Sequence, residues 1–123
     1  MTLHSPVVMI VDDEAPIRTS IATTLDLEGY GVVEACNGDE AIEIMRRRGI
    51  DAVISDIRMP GPVDGLSLAG WIANNAPAIA LLLMSGKGRP TALKQLPAAT
   101  SYLQKPFRMQ DLLATLGRCV RIH

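Results

Sequence analysis

The feature that most constrains this chain is an alternation. Short apolar runs rich in Val and Ile recur, each closed by a turn signal and followed by a segment of helical spacing, so that five such units fill the length. That pattern is expected of a parallel sheet whose strands are joined by crossover helices, an α/β architecture. The strands predicted from it are Val7–Val11, Val32–Ala35, Ala52–Ser55, Ile79–Met84 and Tyr102–Gln104. At 123 residues and 48% hydrophobic content the chain suffices for one compact domain, 1–123, and is too short for two ordinary ones. Aromatic residues make up only 3%, so the core must be built from Val, Ile, Leu, Ala and Met.

Helix signals fall between the runs. Pro16 suits the start of a helix opening near Ala15, which puts Ile17, Ile21 and Leu25 on one face before Gly29 ends it. Asn37 and Glu40 are spaced as a cap and capping box for a second helix that turns Ala41, Ile44 and Met45 inward and stops at Gly49. Arg46 to Arg48 in its last turn complement the helix dipole. A third helix is expected from Leu66 to Asn75, with Leu66, Ala69, Ile72 and Ala73 as its apolar stripe. A last one runs from Met109 to about Ile122 and buries Met109, Leu112, Leu113, Leu116 and Val120. Pro90 and Pro97 leave room for only a turn or two of helix between the fourth and fifth strands.

Charge and composition exclude several roles. A formal net charge of −1 exerts no global pull toward nucleic acid or anionic membrane, and no basic, aromatic-interleaved stretch is present. No apolar run approaches the length of a bilayer span, and the amino terminus lacks the pattern of a secretory leader, so the expected setting is cytoplasmic. Cys36 and Cys119 fall in apolar patterns far apart in sequence, which argues for reduced, buried thiols. After Asp64 the only acidic residue is Asp111, whereas Lys87, Arg89, Lys94, Lys105, Arg108, Arg118 and Arg121 are basic. The last third is thus either a partner surface or an ordinary solvated face.

In an open parallel sheet, ligands sit beyond the carboxyl ends of the strands. Asp12, Asp13 and Glu14 follow the first strand, Asp56 closes the third, Ser85 follows the fourth, and Lys105 and Pro106 follow the fifth. If strands one and three are neighbours, their acidic ends converge. Carboxylates gathered in a crevice repel one another and persist only when cations compensate them. Lys105 supplies one charge, and a hard divalent ion such as magnesium fits a sparse set of oxygen ligands. No Cys or His arrangement suggests zinc.

The runs VMIVDDEAPIR, DAVISDIRMPGPVDG, LLLMSG and SYLQKPF, in this order, resemble bacterial response-regulator receiver domains of the chemotaxis-regulator kind over essentially the whole chain. That resemblance implies a doubly wound five-stranded sheet of order 2-1-3-4-5, a flavodoxin-like three-layer sandwich. It implies that Asp56 accepts a phosphoryl group from a histidine kinase or histidine phosphotransfer protein. Asp13, Asp56 and the backbone carbonyl of Arg58 would hold Mg²⁺, with Asp12 orienting a water in the ion's shell. Lys105 would neutralise the transferring oxygens, Ser85 would donate its hydroxyl to the new phosphoryl group, and Tyr102 would be the aromatic switch. Ser85 also reads as a turn residue and Tyr102 as core. The resemblance further implies a cis Lys105–Pro106 peptide, which proline makes accessible. Such a domain catalyses only its own phosphorylation and dephosphorylation. It is expected either to stand alone or to be part of a larger protein such as a hybrid kinase, and to meet a downstream protein target through the basic last third.

Arg58 and Lys87 depart from the family pattern by flanking the phosphoryl site with positive charge, where they are expected to alter the lifetime of an acyl phosphate. The proline-bounded segment Gly86 to Pro97 is shorter than usual and is expected to be mobile. A flavodoxin needs a phosphate-cradling loop after the first strand, where Asp12, Asp13 and Glu14 would repel phosphate. A haloacid-dehalogenase-type phosphatase needs a second Asp where Arg58 stands. The remaining alternative is a receiver-like interaction domain that signals by binding alone.

Overall fold

The computed structural model describes residues 5–86, 96 and 100–120. Among them the elements run β1 (Val7–Val11), α1 (Ala15–Leu27), β2 (Gly31–Ala35), α2 (Gly38–Arg47), β3 (Ala52–Asp56), α3 (Gly65–Asn75), β4 (Ala80–Ser85), β5 (Thr100–Gln104) and α4 (Met109–Cys119). All neighbouring strands pair in parallel and the order is β2-β1-β3-β4-β5. The doubly wound sheet read from the sequence is therefore present. The turn or two of helix expected between Pro90 and Pro97 lies outside the described residues, as do His4, Lys87 and His123.

Two apolar clusters cover the sheet, one on each face, because successive strand residues point to opposite sides. Met9, Val11, Val53, Leu81 and Leu83 meet Ala41 of α2 and Leu68, Ala69 and Ile72 of α3. Val8, Ile10, Ile54, Leu82 and Met84 meet Ile21 and Leu25 of α1 and Leu112 and Leu116 of α4. Each large aliphatic side chain so buried contributes about 1.5–3 kcal/mol relative to exposure. β3 is buried along its whole length, whereas every residue of β5 keeps some exposure.

Several local expectations need correction. β3 and β4 each reach one residue further than expected, into Asp56 and Ser85, because Ile57 N–H still donates to the Met84 carbonyl (2.9 Å) and Lys105 N–H to the Ser85 carbonyl (2.8 Å). Asn37 does cap α2, its side chain accepting from Glu40 N–H at 2.8 Å, but the capping box is not reciprocal: the Glu40 carboxylate accepts the Cys36 thiol at 3.4 Å. Leu68, outside the stripe read for α3, is fully buried, while Leu66 is only half-buried. α4 ends at Cys119, short of the expected Ile122, with Val120 just beyond it in an extended conformation; Met109, Leu113 and Val120 are half-buried beside the buried Leu112 and Leu116.

Both cysteines are free as expected but exposed rather than buried. Cys36 sits in the turn after β2 and Cys119 in the last turn of α4, where the chain leaves the core. Gly29, at φ +100°, ends α1 in a left-handed conformation that a Cβ would disfavour.

Candidate functional site

The parallel pairing of β1 with β3 carries Asp12 and Asp56 to the same carboxyl edge, where Val11 faces Ser55 in register. Carboxylate oxygens of Asp12, Asp13 and Asp56 all lie within 4.8 Å of one another. Asp12 is fully buried, Asp56 nearly so, and Asp13 is exposed at the mouth. One cation reaches this group among the described residues: Lys105 Nζ stands 3.3 Å from Asp56 Oδ2 and 3.8 Å from Asp12 Oδ2. Lys105 follows β5, and its peptide to Pro106 is cis.

The two buried carboxylates are each held by the turn that follows them. Asp12 Oδ1 accepts from Glu14 N–H at 2.9 Å, which starts α1, and Asp56 Oδ1 accepts from Arg58 N–H at 3.4 Å. Asp12 Oδ2 is buried and has no hydrogen-bond partner among the described residues. Burial pushes the Asp12 carboxyl up from its ordinary value; the charges of Asp56 and Asp13 push the same way, while the Glu14 N–H and Lys105 oppose them. Three acids against one lysine, with one buried oxygen unsatisfied, is a donor set suited to a hard divalent cation. The acidic cluster could therefore hold a metal.

The remaining expected residues surround it. Ser85 is buried at the end of β4, one register position beyond Met84, the partner of Asp56. Tyr102 is half-buried, pairs in register with Leu83 and packs against the cluster on the α2–α3 face. The Arg58 side chain is exposed beside a hollow lined also by Met59, Pro60 and Asp64.

Two residues at this edge escaped the sequence reading. Arg18 Nη1 donates to the Asp12 carbonyl at 2.7 Å while its Nε pairs with Glu34 at 3.1 Å. Its signal was a basic residue one turn into a helix, where the dipole disfavours positive charge. Gly65 opens α3 against the end of β3: a Cβ there would meet the Asp56 carbonyl oxygen and lie 2.6 Å from Ile57 Cα. Its N–H donates to the Ile57 carbonyl at 2.9 Å.

Known proteins are similar to this chain in sequence and in fold. The family model of the response regulator receiver domain matches residues 8–117. The chain is 38% identical to the transcriptional regulatory protein PdtaR of Mycobacterium tuberculosis over 116 residues, 92% of this chain and 56% of that protein. It is 35% identical to an NtrX-like response regulator of Rickettsia felis over 94% of its own length, but spans only 25% of that relative. Among solved structures, the chemotaxis protein CheY4 of Vibrio cholerae superposes with a TM-score of 0.84 at 29% identity, covering 94% of this chain and 99% of that one. With that match spanning the sheet, the acidic edge and Lys105, the chain belongs to the response regulator receiver domain family of two-component systems.

Proposed function

We propose that this receiver domain is a phosphoacceptor switch in which Asp56 takes a phosphoryl group from the phosphohistidine of a kinase or phosphotransfer protein, in a Mg²⁺-dependent reaction. The observation that carries this reading is the convergence of Asp12, Asp13 and Asp56 within 4.8 Å, with Lys105 3.3 Å from the nucleophile. The unpartnered buried oxygen of Asp12 supports a cation at the same place.

Asp13, Asp56 and the Arg58 carbonyl would hold the ion, and Asp12 would orient its shell. When bound, magnesium supplies positive charge against the oxygens of the transferring group. An Asp56 oxygen forms a bond to phosphorus as the phosphorus–nitrogen bond of the donor breaks; the nitrogen keeps the electron pair and takes up a proton, and an acyl phosphate is left on Asp56. Lys105 stabilises the charge on the phosphoryl oxygens. Ser85 then donates its hydroxyl to that group, and Tyr102 turns inward as the readout. The domain catalyses only its own phosphorylation and dephosphorylation, works in the cytoplasm, and passes its signal to a downstream protein through its basic last third.

An interaction domain without phosphorylation would have no need of this acidic set. The two readings are separated by incubating the chain with acetyl phosphate and Mg²⁺ and measuring intact mass. The wild type is expected to gain one phosphoryl group, and neither Asp56→Ala nor the wild type in excess chelator should gain it. A wild type that stays unmodified under these conditions supports the interaction reading instead.

A further inference from the structure

Among the described residues one large hydrophobic side chain stands out in solvent: Leu27, 82% exposed at the end of α1. It sits between Asp26 and Glu28, both exposed, and the last turn of α1 carries no basic residue. Negative charge there adds to the negative end of the helix dipole and is unfavourable. No described cation lies within ion-pair distance of either carboxylate. The end of α1 is thus an apolar knob flanked by two acids that no cation compensates among the described residues.

Across the β2 edge lies its complement. A hollow of about 270 Å³ is lined by Val33 and Ile44, with Arg47 and Arg48 contributing exposed guanidinium groups. Arg47 is engaged loosely, its Nε 3.7 Å from the Glu43 carboxylate and 3.4 Å from the Glu43 carbonyl, with both side chains more than half exposed. β2 is an edge strand, with α1 packed on one face of the sheet and α2 on the other. Both helices run back against the strands, so their carboxyl ends flank β2 at the same end of the sheet. An open edge also presents backbone groups free to meet another chain.

We infer that this edge is a self-association surface whose occupant is a second copy of this chain. Leu27 of each copy enters the Val33–Ile44 hollow of the other, and Asp26 and Glu28 face Arg47 and Arg48 across the two-fold axis. Because knob and hollow flank one strand, a single axis beside β2 satisfies both contacts, the isologous arrangement that closes a dimer. The charges fix the register and reject the reverse docking, which would bring arginine to arginine. The inference is independent of phosphoryl transfer at Asp56, since none of its residues belongs to that site.

Sedimentation velocity of the full chain over a rising concentration series tests it. The mass is expected to climb from 13.2 kDa toward the dimer at low salt and to fall back at high salt. Leu27→Lys, and separately the pair Arg47→Glu with Arg48→Glu, should weaken association by roughly tenfold or more while leaving the far-ultraviolet spectrum and the melting temperature close to wild type. Asp26→Lys with Glu28→Lys should dissociate likewise, and mixing this variant with the arginine-reversed one should restore a heterodimer, because both contacts then regain opposite charge. A wild type that is monomeric throughout overturns the inference, whether or not some other protein binds the edge. So does a dimer indifferent to these substitutions, or a mixture of the reversed variants that fails to associate.

Discussion

The guanidinium of Arg18 holds the main chain of Asp12, donating to its carbonyl oxygen at 2.7 Å. That carbonyl belongs to the peptide joining Asp12 to Asp13, so the bond sets the direction in which both acids leave β1. Arg18→Ala is expected to weaken Mg²⁺ binding roughly tenfold and to lower stability by about 1.5–3 kcal/mol, the range for a hydrogen bond to a charged donor. Its pair with the more exposed Glu34 adds little. Calorimetric titration beside thermal melting separates the two effects, and Arg18→Lys should recover part of the affinity.

Asp12 contributes to the response of the domain to acid. Its folded carboxyl is raised, chiefly by burial, above the 3.8 it has in the unfolded chain. Between those two values the native state binds more protons than the unfolded state, so stability falls as pH rises through that window and stays reduced at neutral pH. Asp12→Asn should therefore make the cation-free chain more stable at neutral pH and flatten this part of its pH profile. Mg²⁺ at a hundredfold excess over its Kd should stabilise the wild type by about 2.7 kcal/mol and the variant far less. Melts from acid to neutral pH, with and without the ion, measure both.

Gly65 leaves no room for a side chain where α3 abuts β3. Gly65→Ala is expected to destabilise the domain by about 2 kcal/mol, in the range for overpacking, and to slow phosphoryl uptake because the peptide of Asp56 must shift. Chemical denaturation and the rate of mass gain with acetyl phosphate give the two readouts.

Lys105 competes with a metal for the same oxygens while assisting the transfer. Lys105→Met should tighten Mg²⁺ binding, since Asp56 Oδ2 loses its 3.3 Å partner, yet slow phosphorylation by roughly a hundredfold. Weaker metal binding in this variant would show that Lys105 acts mainly by holding the pocket together.

Arg58 lends its backbone to the site and leaves its side chain exposed at the rim. Arg58→Ala preserves the carbonyl but clears the approach to Asp56, so the acyl phosphate is expected to hydrolyse several-fold faster. The decay of the phosphorylated mass after removal of donor measures it, and an unchanged lifetime would reject a role for the side chain.

The acidic edge was legible because its residues are charged types that stand out against apolar core strands and fall at their carboxyl ends. Asp12, Asp56 and Lys105 each interrupt or end an apolar run, so strand ends and chemistry coincide in the text of the chain. Leu68 was not legible: α3 is apolar nearly all round, with Leu66, Leu68, Ala69, Trp71 and Ile72, and periodicity cannot choose its inward face. Cys36 and Cys119 misled because apolar neighbours mark a pattern, not the point at which the chain turns away from the core. The tie from Arg18 to Asp12 depends on how α1 packs beside β2, which local spacing does not encode.

The uneven cover of the sheet gives it a gradient of stiffness. β3 is clamped between two packed faces, while β5, two strands away, is only partly covered. β2, two strands away on the other side, is likewise only partly covered, so a disturbance arriving at Asp56 meets tight packing in β1, β3 and β4 and finds slack at the two edge strands. Where this molecule yields, at its edges rather than its centre, is thus built into the layering of its core before any signal arrives.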